Sequence, residues 1–174
     1  GIDMATTRLR SCCWIAAWGM VALMTPGRAY AQAAEAAAAA VLETFRPVSG
    51  ALVIVGGGGL PPEIIDRFLE LGGGEKANLV VVTTASIYAG TPEMDARIDF
   101  WRAKTLKSLT VLHTRSRDEA NDPKFYRPIT EATAVWFIGG NQNWITDAYL
   151  GTRTEAMLRE LLNRGGVIGG TSAG

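Results

Sequence analysis

The stretch Gly165-Gly166-Val167-Ile168-Gly169-Gly170-Thr171-Ser172-Ala173-Gly174 decides how the rest of the 174 residues are read. Val167 and Ile168 form a short apolar, β-branched run, as a buried strand requires, and the run leads straight into Gly-x-Ser-x-Gly. A serine offered at the tip of a sharp strand-to-helix turn sits in strained backbone, so the residues two before and two after it have to be small for the turn to close. At this chain's glycine and serine content, about 0.08 chance matches to the pattern are expected. The motif alone is therefore moderately specific. Its position at the end of an apolar strand is what raises a glycine-rich turn to a candidate nucleophile elbow, with Ser172 as the reactive side chain.

Working backwards, apolar runs alternate with helical segments. Residues 51–55 (Ala-Leu-Val-Ile-Val) read as a strand ending in Gly56-Gly57-Gly58-Gly59. Pro61-Pro62 then open a helix through Leu71 that Gly72-Gly73-Gly74 stops. Residues 78–84 read as a second strand, 92–107 as a helix, 109–113 as a third strand, 134–138 as a fourth, and 153–163 as a last helix before the elbow strand. Strands apolar throughout and separated by helices belong in a parallel sheet covered on both faces. The expected fold class is α/β, a parallel sheet with helices on both faces, cut off after the elbow strand. Chemistry in such sheets gathers at the carboxyl ends of the strands. Three features fall there: the glycine run at Gly56, the segment Gly139-Gly140-Asn141-Gln142, and Ser172.

Composition narrows the partners. The formal charge is zero, with 48% hydrophobic and 20% charged residues, so no basic field exists for nucleic acid. Arg8 and Arg10 precede an apolar stretch over 12–24, and Pro26-Gly27 and Ala29-Tyr30-Ala31 follow it. This reads as a secretory signal over 1–31, cleaved after Ala31, with Met4 as the start and Gly1-Ile2-Asp3 as upstream residues. The apolar stretch is short for a membrane span, so no stable anchor is expected after cleavage, and the destination is periplasmic or extracellular. Cys12 and Cys13 both lie inside the signal, which leaves no disulfide, thiolate metal site or cysteine nucleophile in a mature chain. Residues 32–46 are alanine-rich and read as a linker or loose helix, with the folded domain over 47–174.

A dinucleotide site fails on spacing. Starting G-x-G-x-x-G at Gly56 or Gly57 puts Pro61 or Pro62 in the last position, and no acidic residue closes the second strand. No metal or organic cofactor is expected. Glycine-exposed amides fit a carboxylate or a developing oxyanion instead.

Three motifs in order, Val53-Ile54-Val55-Gly56-Gly57-Gly58-Gly59, Trp136-Phe137-Ile138-Gly139-Gly140-Asn141-Gln142 and Gly166 through Gly174, resemble the cyanophycinase family over roughly residue 47 onward. That family comprises serine peptidases of the clan of aspartyl dipeptidase, some with an export signal, and it hydrolyses cyanophycin to β-aspartyl-arginine dipeptides; the resemblance implies its fold, flavodoxin-like or class I glutamine amidotransferase-like in outline. The resemblance implies Ser172 as nucleophile, the backbone amides of Ala173 and Gly140 as oxyanion donors, and Gln142 with Asn141 on the substrate side. Asn141 stands where the family carries aspartate. The implied partner is a peptide, cyanophycin or an aspartyl peptide; a homodimer is compatible with the sequence.

In this family the histidine and its acidic partner follow the nucleophile in the chain. Here His113, the one histidine, precedes it, and reads as a strand-end residue rather than a base. These 174 residues are accordingly expected to be an inactive fragment of an enzyme. Glu93, Asp95, Arg97 and Asp99 read as the solvated face of a helix, and residues 115–119 as a surface loop. Two other readings share the elbow: an α/β-hydrolase esterase, although the His-Gly oxyanion motif is missing, and a non-catalytic relative that binds peptides.

Overall fold

The computed structural model describes residues 27–28, 30–36 and 47–174. The chain divides into two units, Gly1–Arg46 and Pro47–Gly174. Within the first, residues 27–28 and 30–36 are helical; the remainder of the signal and linker assignments lies outside the described residues.

The second unit runs β1 (Ala51–Val55), α1 (Pro62–Leu71), a 3-10 turn (Gly74–Lys76), β2 (Asn78–Val82), α2 (Pro92–Arg102), β3 (Ser108–Leu112), α3 (Arg117–Ala120), α4 (Pro123–Glu131), β4 (Ala134–Phe137), α5 (Gln142–Tyr149), α6 (Arg153–Asn163) and β5 (Val167–Thr171). The five strands form one sheet in the order β1-β5-β4-β2-β3, parallel at every pairing. Read from the β3 edge, this is the flavodoxin order with the outermost place taken by the first strand of the domain. Strand β5, which leads into Ser172, is thereby interior, flanked by β1 and β4.

Each face of the sheet has its own core. On one, Ile65, Phe68 and Leu69 of α1 and Met94, Ile98 and Trp101 of α2 pack on Leu79, Val81, Trp136 and Val167. The other is covered by α3 to α6, with Phe125, Ile129, Ala148, Tyr149 and Leu161 against Val80, Val82, Val135 and Phe137. The alternation of strand side chains produces this division, since neighbours along a strand point to opposite faces. Phe68 sits edge-on to Trp136 at 4.8 Å and to Trp101 at 5.7 Å between ring centres. Burying each ring contributes about 2–3 kcal/mol, which anchors both helices over the centre of the sheet. β1 is the exception to two-sided cover: Leu52 and Ile54 on its second face are 59% and 86% exposed.

Three segments depart from the sequence reading. α2 ends at Arg102 rather than near 107. The N–H groups of Lys107 and Ser108 both donate to the Ala77 carbonyl, which draws the chain into the sheet before the helix can continue. Residues 117–120 form the short helix α3 instead of a loop, with the Ser116 side chain capping the Glu119 N–H. α4 and α5, unread from the sequence, complete the second face.

Candidate active site

Between β2 and β4 the winding reverses: the chain leaves β2 outward to β3, and leaves β4 the other way to β5. A crevice opens outside the carboxyl ends of strands at such a point. The residues that follow β1, β2, β4 and β5 meet there.

Ser172 follows the last residue of β5 and has φ of 54°, the sole left-handed backbone among the described non-glycine residues. The conformation costs about 1–2 kcal/mol for a residue with a Cβ, and the surroundings enforce it. The Ser172 N–H donates to the Val55 carbonyl at 2.8 Å, continuing the β1–β5 ladder one step past the strand, and the Gly174 N–H closes the turn on the Thr171 carbonyl at 2.8 Å. Side chains at the flanking glycines would break the turn: a Cβ on Gly170 would stand 2.7 Å from the Gly174 carbonyl oxygen, and one on Gly174 2.5 Å from that of Phe137. The strained serine expected from Gly-x-Ser-x-Gly is present, and Ser172 is exposed at its tip.

The other two motifs converge on it. A Cβ built on Gly57, in the glycine run after β1, would lie 3.9 Å from the Ser172 Cβ, and one on Gly139, after β4, would lie 2.9 Å from it. Gly140 is pressed against the loop that leaves β2, where any Cβ would strike the Ala85 carbonyl, while the next N–H, of Asn141, donates to that same carbonyl at 2.8 Å. This bond ties the β4 loop to the β2 loop. Among the described residues, neither the Ala173 N–H nor the Gly140 N–H donates to a protein acceptor. Two amides are thus free close to an exposed hydroxyl.

Asn141 caps α5. Its side-chain oxygen accepts the Asn143 N–H at 3.0 Å, satisfying one of the donors a helix start leaves open. Aspartate would accept the same bond. Gln142 is the first residue of α5 and is exposed. With Phe137, Ile145, Thr146, Ala173 and Gly174 it lines a cavity of about 300 Å³ on the α5 side of the serine. A larger hollow of about 360 Å³ opens at the amino ends of β2 and β3, lined by Asn78, Ser108 and Arg127, away from these groups.

His113 is not brought to the serine. It follows β3, and β3 lies three strand spacings from β5, about 14 Å across the sheet. Burial, with Arg115 adding to it, holds its imidazole below the ordinary histidine value, against the pull of Glu119. It is an exposed strand-end residue.

Two features of the crevice had little signal in the sequence. Behind it, the hydroxyls of Thr84 and Tyr149 hydrogen-bond in the interior, and burial pushes the phenol up to about 12 although the Thr84 bond pulls the other way. At its edge, the Arg115 guanidinium stacks on Trp144 at 3.7 Å and donates to the Ser86 carbonyl at 3.0 Å, joining the β2 and β3 loops to α5.

No family model matches the chain. Over 113 residues, 64% of this chain and 41% of the relative, it is 29% identical to a cyanophycinase of Geminocystis herdmanii (strain PCC 6308). The chain therefore spans less than half the length of that relative. Its backbone is similar to the crystal structure of a peptidase from an acI-B1 Actinobacterium, with a TM-score of 0.53, 22% identity, and coverage of 71% of this chain and 54% of the other. The chain is cyanophycinase-like in sequence over the matched residues, and shares its α/β fold with a solved peptidase.

Proposed function

We propose that this chain carries the nucleophile half of a serine peptidase of cyanophycinase type. The observation that supports it most is the backbone of Ser172: a left-handed, exposed serine at the end of an interior parallel strand, with two unengaged amides beside it. In this reading the Ser172 hydroxyl attacks the scissile carbonyl and gives up its proton to a base. The amides of Ala173 and Gly140 hold the oxyanion, the protonated amine leaves, and water hydrolyses the acyl-enzyme. Gln142 lines the adjoining cavity, with Asn141 next to it as the cap of α5, on the side where the peptide lies. The base comes from outside the described residues, because His113 is out of reach. The substrate is cyanophycin or a related aspartyl peptide, yielding β-aspartyl-arginine-like dipeptides. Removal of the signal over residues 1–31 delivers the enzyme to the periplasm or the exterior.

The test is labelling of the protein, expressed from its complete gene, with a fluorophosphonate. Modification is expected at Ser172 and at no other serine, and is expected to vanish in Ser172→Ala. A protein that digests cyanophycin without labelling at Ser172, or one that labels but releases no dipeptide from any aspartyl peptide, overturns the nucleophile or the substrate assignment respectively.

A further inference from the structure

The loops after β2 and β4 meet along a seam. On the β2 side stand Ala85 and Ser86; on the other stand Gly140, Asn141 and the first turn of α5. The Asn141 N–H donates across the seam to the Ala85 carbonyl at 2.8 Å, and a Cβ on Gly140 would strike that carbonyl and come within 3.1 Å of the Ser86 Cα. Gly139, immediately before the seam, is the residue pressed against the Ser172 side chain.

Arg115, on the loop after β3, reaches both sides of the seam. Its Nη2 donates to the Ser86 carbonyl at 3.0 Å, and the guanidinium lies over the Trp144 ring, 3.7 Å from the ring centre. Trp144 is the third residue of α5, and its N–H donates to the Asn141 carbonyl at 3.2 Å, so the ring belongs to the same turn whose start crosses the seam. Among the described residues no carboxylate lies within ion-pair distance of Arg115. Glu119 of α3 accepts the Thr114 hydroxyl at 2.6 Å instead. The charge and planar fork of Arg115 are directed at a carbonyl and a ring, an arrangement open to arginine and not to lysine, because a guanidinium donates in its plane while its face stacks.

We infer that Arg115 is a positioning residue for the proposed oxyanion site: by gripping the Ser86 carbonyl and the Trp144 ring together, it clamps the two loops and fixes the direction of the Gly140 amide. Glycine backbone reorients with little resistance, so this amide keeps its aim only while its neighbours are held. Donors stabilise a developing oxyanion when they are placed beforehand, and a displacement of about 1 Å costs on the order of a hundredfold in rate. The sequence reading placed residues 115–119 on a surface loop; the structure sets Arg115, exposed as it is, against both sides of the seam. Its role at the oxyanion rests on the peptidase reading, whereas the clamp itself needs no chemistry.

The experiment uses the protein expressed from its complete gene and takes two readouts. The first is amide hydrogen exchange, with the Asn141 N–H as probe of the seam and the Ser172 N–H, bonded to Val55 on the β1 side, as reference. Arg115→Ala is expected to speed exchange at Asn141 about tenfold and to leave Ser172 within about twofold of wild type. The second is the concentration dependence of fluorophosphonate labelling, in which the limiting rate at Ser172 is expected to fall about tenfold while the half-saturating concentration stays within about twofold. Arg115→Lys, which keeps the charge without the planar fork, is expected to show each effect at about threefold, and it decides the matter alone where the alanine variant does not fold. The control Arg159→Ala, which breaks an exposed ion pair with Glu155 on α6, changes neither readout. Unchanged exchange at Asn141, or equal acceleration at Asn141 and Ser172, overturns the clamp; an unchanged limiting rate overturns its role at the oxyanion site. Failure of the wild type to label strikes the peptidase reading instead, and exchange alone then decides the clamp.

Discussion

The carbonyl of Val55 accepts the N–H of Ser172 at 2.8 Å, so β1 holds the turn that follows β5 in place. The same bond uses up the serine's own amide, and the free donors around the hydroxyl belong to its neighbours. Left-handed backbone is maintained there at a local cost.

Relieving that cost gives the first prediction. Ser172→Gly removes the Cβ penalty and is expected to stabilise the domain by about 0.5–1 kcal/mol, the flexibility of glycine in the unfolded chain offsetting the rest. Fluorophosphonate labelling disappears in the same variant. Urea denaturation beside wild type measures the first effect, and a variant less stable than wild type contradicts the strain argument.

Gly140 gives the second. Alanine here drives its methyl group into the Ala85 carbonyl. The β4 loop has to lift away, and the Asn141 to Ala85 hydrogen bond goes with it. A loss of about 2–3 kcal/mol is expected, with labelling at Ser172 slowed at least tenfold if the displaced Gly140 amide is the oxyanion donor proposed. Thermal unfolding and labelling kinetics read the two effects separately.

Asn141 is predicted to tolerate aspartate and not alanine. Its role is to cap α5, so Asn141→Ala is expected to cost about 1 kcal/mol, whereas Asn141→Asp stays within about 0.5 kcal/mol of wild type. An equal loss in both would show that the side chain does something other than capping.

Tyr149 makes stability fall in alkali. Its phenol titrates at an ordinary 10.0 when unfolded and at about 12 when buried beside Thr84. Above pH 10 the unfolded chain gives up this proton while the folded chain retains it. The contribution is therefore whole below pH 10 and drains as pH rises to 12, by less than about 3 kcal/mol in all. Tyr149→Phe is expected to show that much less loss between pH 9 and 12 by urea titration. At pH 7 it is expected to be about 1–2 kcal/mol weaker than wild type, because the buried Thr84 hydroxyl loses its partner.

What could be read in the sequence follows from how local each signal is. β1 and α6 are bounded by the residues named beforehand, since an apolar β-branched run and a helical stripe each announce themselves within ten residues. Ser172 was legible because its turn needs glycine on both sides. α4 was not: Pro123 and Pro128 punctuate it, and only Phe125 and Ile129 reach the core, too few to mark a period. α5 lay hidden in a segment read for its loop motif, with Ala148 and Tyr149 as its buried residues. Arg97, in the middle of α2, is exposed as its helix face implied. What the sequence could not give is the ring beside each arginine, Tyr88 for Arg97 and Trp144 of α5 for Arg115, because these segments meet only through the topology.

The pairing of Ala51 through Val55 with Val167 through Thr171 joins segments more than a hundred residues apart. Contacts that distant form slowly, since a long loop must close before they repay it. During synthesis β1 emerges first and waits with an unmatched edge, while β2 to β4 and their helices can already assemble. The turn bearing the serine can take shape only once β5 has emerged and paired with β1, so the hydroxyl acquires its setting later than the β2 to β4 scaffold.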